Sequence, residues 1–211
     1  MAQILVFGDS ITYGAWDKDG GWVQRLRKAI DKKILPSFNS YHLVYNLGIS
    51  GDTTTDLLER FELETKARTN PEEENVIIFD IGGNDTVFIK NNNSLKTTLP
   101  KFRNNVQKLI NIASKYSKKI LFIGLIPADE NKTIPVSWNK DVSYKNEYLS
   151  RYNSEIKNIC KENHLGFIDN FEMWISSDYK RLLLDGLHPN DRGHKIIFWE
   201  IKKYLMENNW I

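Results

Sequence analysis

A single cysteine, Cys160, in 211 residues excludes an intrachain disulfide and any metal cluster built from thiolates. Long apolar runs are missing as well, so no segment is expected to cross a bilayer. The N-terminal MAQILVFGDS carries neither a basic leader nor an extended apolar stretch. The expectation is a chain without a signal peptide that begins at or near Met1 and works in the cytoplasm. Charge of one sign is absent too. The 29 Lys and Arg face 27 Asp and Glu, a net of +2, which gives no reason to expect a nucleic-acid partner. The basic cluster Lys115, Lys118 and Lys119 reads as a solvated face. Four histidines show no His-x-x-x-His or comparable ligand spacing, so neither a metal nor another cofactor is expected. Gly-x-Gly-x-x-Gly and Walker-type loops are lacking, which argues against nucleotide binding. The Gly-x-Ser-x-Gly elbow of α/β-hydrolases is lacking also.

What remains is ordinary globular material, 41% hydrophobic and 27% charged, of a length that suits one domain over residues 1–211. Short apolar, β-rich runs occur at Ile4–Phe7, His42–Tyr45, Val76–Ile81, Ile120–Ile126 and Phe167–Ile168. They are continuous rather than alternating, as expected of strands buried on both faces of a parallel sheet. Between them lie segments with apolar residues three and four apart. Trp22, Leu26, Ala29 and Ile30 mark the first and Leu57, Leu58 and Phe61 the second. Phe102, Val106, Leu109, Ile110 and Ala113 mark the third, with Pro100 near its first turn. Tyr148, Leu149, Tyr152, Ile156 and Ile159 mark the fourth, and Ile196, Ile197, Ile201 and Leu205 the last. Five strands interleaved with five helices predict an α/β fold, a three-layer α/β/α sandwich with a five-stranded parallel sheet of the flavodoxin-like, doubly wound kind. No internal repeat is present. Thr86–Leu99 and Pro127–Val142 carry the least pattern, and loops of that length inside a compact domain are often functional.

Polar, glycine-rich turns follow the first three strands: Gly8-Asp9-Ser10, Asn46 to Asp52, and Gly82-Gly83-Asn84-Asp85. In open parallel sheets, ligands bind beyond the carboxyl ends of the strands, so the three turns open onto one rim. A fourth cluster, Asp185 to Asn190, lies just before the last helix. Each turn taken alone is equally well a helix cap, a strand-ending turn or a surface loop. Together, and in this order, they resemble the SGNH hydrolases, also called GDSL esterases and lipases. The first block reads Gly8-Asp9-Ser10-Ile11, with Ile in place of the expected Leu. The second matches at Ser50-Gly51-Asp52, the third at Gly83-Asn84-Asp85, and the Asp-x-x-His block at Asp185 and His188. The resemblance runs from Gly8 to His188 and implies the same three-layer fold and serine ester hydrolysis.

Acyl transfer explains why such residues would be needed. A serine hydroxyl is a poor nucleophile until a base takes its proton, so Ser10 needs an imidazole, here His188. Asp185, three residues earlier, can accept the other ring N–H and fix the tautomer. By the resemblance, the Ser10 and Gly51 backbone N–H groups and the Asn84 side-chain amide would face the oxyanion. Asp9 reads as an acceptor that steadies the turn, and Ser50 has no base singled out for it. His42, His164 and His194 are expected in structural or surface roles. Candidate substrate-binding residues are Tyr13, Trp16, Phe88 and Trp138, with Val87, Ile89, Ile134, Pro135 and Val136 as further walls; ordinary packing is an equal reading of them all. Asp9, Asp52 and Asp85 are expected on the rim, where carboxylates would repel a phosphate ligand. The expected reaction is hydrolysis of a small carboxylic ester of short or medium acyl chain. Lysophospholipase, thioesterase and carbohydrate O-acetylesterase activities are alternatives within the family, and a flavodoxin-like small-molecule-binding module is the non-enzymatic one. No oligomeric state is implied.

Overall fold

The computed structural model describes residues 2–36 and 42–211. In chain order the first half comprises β1 (Ala2–Gly8), α1 (Ser10–Tyr13), α2 (Gly21–Ile34), β2 (His42–Gly48), α3 (Thr54–Lys66), β3 (Glu74–Asp80), β4 (Phe88–Ile89) and β5 (Ser94–Leu95). The second half comprises α4 (Leu99–Ala113), β6 (Lys119–Ile123), α5 (Glu130–Thr133), β7 (Val142–Ser143), α6 (Asn146–Glu162), β8 (Gly166–Ile168), α7 (Asn170–Ile175) and α8 (Asp191–Glu207).

Five of these strands form one sheet in the order β2-β1-β3-β6-β8, every neighbouring pair parallel. Side chains alternate across it, as strand geometry requires. Leu5, Phe7, Ile77, Phe79, Ile120 and Phe122 point to one face, against Leu57 and Phe61 of α3, Phe102 and Val106 of α4, and Leu149 and Ile156 of α6. Ile4, Val6, Val76, Ile78, Leu121 and Ile123 point to the other, against Trp22 and Leu26 of α2 and Ile197 and Ile201 of α8. Both faces are therefore covered, which is why the strands read as unbroken apolar runs. The result is the three-layer α/β/α sandwich expected from the sequence.

Two differences from the sequence pattern have clear causes. The apolar run expected to continue as strand to Ile126 leaves the sheet after Ile123. Leu125 and Ile126 are buried all the same, in a connection whose Leu125 N–H donates to the Asn153 side chain at 3.0 Å. Burial without pairing gave them a strand's composition. The two unpatterned stretches also contain strands, β4, β5 and β7, which pair into a small antiparallel sheet. Strands of two residues are too short to show a period.

The order β2-β1-β3 means that the chain winds outward from β1 and then returns to its other side. The reversal opens a crevice between β1 and β3 at the carboxyl edge, the switch point at which open α/β sheets bind ligands. Gly8 lies level with Gly48 on one side and Asp80 on the other, so the first three turns leave the sheet side by side. Gly8 is required there: a Cβ would meet the Thr12 hydroxyl at 2.0 Å and the Asp80 carbonyl at 2.3 Å.

Candidate active site

Ser10 opens the four-residue helix α1 at the end of β1. Asp9 caps that helix, its Oδ1 accepting the Ile11 N–H at 3.0 Å. The capped turn holds Ser10 only 7% exposed, at the base of a pocket and not on an open strand end. His188 arrives from the far end of the chain, on a loop held in several places. Leu183 and Pro189 form an isolated antiparallel bridge, and Asp129 N–H donates to Gly186 O at 2.8 Å. Asp185 Oδ1 accepts the N–H groups of Leu187 (2.9 Å) and His188 (2.8 Å).

These constraints align three side chains. Ser10 Oγ lies 3.0 Å from His188 Nε2, and His188 Nδ1 lies 2.7 Å from Asp185 Oδ2. Burial works to raise the Asp185 carboxyl, but hydrogen bonds from the His188 ring and from the His188 and Leu187 backbone outweigh it and hold the group at about 2. Asp185 is thus an anion throughout the neutral range, so His188 Nδ1 carries the hydrogen and Nε2 is free to accept one from Ser10.

The second and third turns close the other side. Gly51 adopts φ 89°, a left-handed conformation that suits glycine, and a Cβ there would meet nothing within 4 Å. Arg60 on α3 binds Asp52 at 2.8 Å and reaches the Gly8 carbonyl at 3.3 Å, tying the second turn to the end of β1. Asn84 begins the short turn after β3. Its Nδ2 donates to Asp52 O at 3.0 Å and faces Asp9 Oδ2 at 3.3 Å, while its Oδ1 accepts the Tyr144 hydroxyl at 2.7 Å. Ser10, Ser50, Gly51, Asn84, Tyr144 and His188 all line one pocket of about 500 Å³.

Of the candidate substrate contacts, Trp16 and Trp138 border this pocket, 67% and 55% exposed, their rings 6.0 Å and 6.4 Å from that of His188. The Trp16 indole N–H lies 3.2 Å from His188 Nδ1. An indole only donates, so it does not bond to a nitrogen that already gives its hydrogen to Asp185. Tyr13 and Phe88 do not line the pocket. Tyr13 borders a neighbouring groove, and Phe88 stacks on Tyr148 beneath the Lys145 ammonium. Val87 and Val136 are buried in the core, and Ile89 packs against it.

Nor do all the rim carboxylates face outward. Asp85 is fully buried, accepting the Thr54 N–H (2.9 Å) and hydroxyl (2.6 Å), and Asp52 is engaged by Arg60. Asp9 lies beneath the pocket with Asp80, which accepts from Thr12 (2.9 Å) and from the Trp22 indole (3.0 Å). Burial, and then the negative charge of Asp80, drive the Asp9 carboxyl well above its ordinary range; burial pushes Asp80 up to about 6. Elsewhere Asp17, Asp19 and Asp191 approach closely enough to share an ion, but the Arg25 guanidinium sits among them at 2.7–2.9 Å. Among the described residues no helix is long and apolar enough to cross a membrane.

Tyr144 and Arg60 escaped sequence reasoning. Tyr144 follows a two-residue strand in an unpatterned stretch, and Arg60 shares α3 with Lys66 and four carboxylates that could equally pair with it on the helix; neither carries a local signal.

A serine, a histidine and an aspartate are thus hydrogen-bonded in series at the switch point of a parallel sheet. Residues 6–196 match the GDSL-like lipase/acylhydrolase family, and the chain belongs to it. An isoamyl acetate-hydrolyzing esterase of Saccharomyces cerevisiae is 23% identical over 220 residues, spanning 96% of this chain and 85% of the relative. Among solved structures, a lipase/acylhydrolase from Enterococcus faecalis superposes with a TM-score of 0.74 at 24% identity, over 99% of this chain and 97% of its own. An acetyl xylan esterase from Geobacillus stearothermophilus superposes with a TM-score of 0.66 at 21% identity, over 93% of this chain and 90% of its own. At these identities the structural likeness speaks to the fold alone.

Proposed function

We propose that the protein is a serine esterase that cleaves small carboxylic esters of short or medium acyl chain through an acyl-enzyme on Ser10. The observation that carries this reading is the unbroken series Ser10 Oγ, His188 Nε2, His188 Nδ1, Asp185 Oδ2, with steps of 3.0 Å and 2.7 Å across the ring, facing a pocket large enough for a small ester. In the proposed cycle His188 takes the Ser10 proton as Oγ attacks the ester carbonyl, and Asp185 stabilises the imidazolium. His188 then delivers that proton to the alcohol oxygen as its bond to the acyl carbon breaks. Water, activated by the same imidazole, releases the acid. The Ser10 and Gly51 N–H groups and the Asn84 amide receive the oxyanion. The Asn84 Nδ2 hydrogen not given to Asp52, which faces Asp9 across 3.3 Å, the longer of the two contacts, is the one that would meet the oxyanion. Trp16 and Trp138 wall the entrance and meet the substrate's outer portion.

A panel of p-nitrophenyl esters of graded chain length tests the reading. Turnover should be highest on the shorter chains and vanish in a folded Ser10→Ala protein. Sustained hydrolysis by that variant would refute the nucleophile, and a preference for long chains would refute the substrate class.

A further inference from the structure

We infer that Tyr144 is a positioning residue of the oxyanion site, its hydroxyl anchoring Oδ1 of the Asn84 amide so that Nδ2 stays turned to the substrate. The inference rests on the esterase reading above and adds a residue that neither the family blocks nor the local sequence pattern marks.

The orientation of the amide follows from its neighbours. The Asp52 carbonyl, 3.0 Å from one end of the Asn84 side chain, can only accept, so that end is the nitrogen. The other end is then Oδ1, and the Tyr144 hydroxyl at 2.7 Å must donate to it. Burial raises the phenol, and the negative charge of Asp185 raises it further, so the donor hydrogen is retained across the working pH range. Tyr144 is itself held: its N–H donates to Thr133 O at 3.0 Å, and its carbonyl accepts the buried Thr133 hydroxyl at 2.8 Å. Tyr144 is 6% exposed. The small antiparallel sheet delivers it, since Tyr144 directly follows β7, and β7 pairs with β4 just downstream of the Asn84 turn.

Turned end for end, the Asn84 side chain would offer a carbonyl oxygen to a developing negative charge. It would also set that oxygen against the Asp52 carbonyl. The Asp52 carbonyl excludes this orientation, and the Tyr144 hydroxyl anchors the amide in the one that remains. Donation into Oδ1 also polarises the amide and strengthens its N–H as a donor, an effect that grows with charge on the acyl oxygen and so belongs to the transition state.

Tyr144→Phe keeps the ring and removes only the hydroxyl. With a p-nitrophenyl ester it should lower kcat by about 3- to 10-fold while KM stays within about twofold and the melting temperature within a few degrees. In an Asn84→Ala background, itself lowered by about 10²–10³, the same change should have no further effect. Unchanged kcat in Tyr144→Phe beside a damaged Asn84→Ala would overturn the positioning role alone. So would an equal loss in both backgrounds, which would mean that Tyr144 acts through some other group. An Asn84→Ala protein with normal kcat would overturn both this role and the assignment of Asn84 to the oxyanion.

Discussion

His188 and His194 lie on the same stretch of chain, one in the loop before α8 and the other in its first turn, yet their surroundings are opposite. His188 has a partner at each ring nitrogen, Ser10 on one side and Asp185 on the other, and borders a pocket. His194 is fully buried, and neither nitrogen has a hydrogen-bond partner among the described residues. Burial lowers it to about 4, so it is neutral near pH 7. An imidazole becomes a catalytic base only when one nitrogen is free to accept and the resulting cation has an anion beside it. His188 meets both conditions. The acid whose charge acts on His194, Asp17, is committed to Arg25 at 2.9 Å, and the buried ring does not line the pocket.

His188→Ala should lower kcat on a p-nitrophenyl ester by about 10⁴–10⁶ while leaving the fold intact, because its ring lies at a pocket edge. His194→Leu, which fills the same buried space, should keep turnover per folded molecule within about threefold. A comparable loss in the His194 variant, at an unchanged melting temperature, would reverse the two roles.

The comparison also shows where sequence was enough. Asp185 and His188 stand three apart in a turn directly before a helix, and the blocks at Ser10, Gly51 and Asn84 each follow a strand, so local order exposed them. The three-layer sandwich was legible because strands covered on both faces carry continuous apolar runs. The small sheet was not, because β4 and β7 are two residues each and meet only after the chain has returned from far away. Tyr144 was hidden for the same reason. Tyr13 and Phe88 lie close in chain to Ser10 and Asn84 but face elsewhere, since nearness in sequence does not set side-chain direction. Asp85, beside Asn84, turns inward to Thr54.

A smaller effect separates buried His194 from buried Asp80 by pH. His194 has a folded value below its ordinary 6.5, so its contribution is complete above that pH and is lost as pH falls toward about 4. Asp80 has a folded value raised from 3.8 to about 6, so its contribution is complete below the first value and is lost as pH rises through the second. Each spans on the order of 3 kcal/mol, and between pH 4 and 6 the two slopes oppose each other. In urea melts across that window, relative to wild type, His194→Leu should lose stability as pH rises from 4 to 6, and Asp80→Asn should lose it as pH falls from 6.5 to 4. Parallel curves for all three proteins would contradict the assigned shifts.

If His188 makes Ser10 the nucleophile, Ser10 should react selectively with a serine-directed electrophile. Intact-mass measurement after exposure to a serine-directed fluorophosphonate, followed by peptide mapping, tests it most directly. One adduct per chain is expected, located on Ser10, absent from Ser10→Ala and formed far more slowly in His188→Ala, while His194→Leu labels at the wild-type rate. Folded wild-type protein that takes up no label, or takes it up equally after Ser10→Ala, would contradict it.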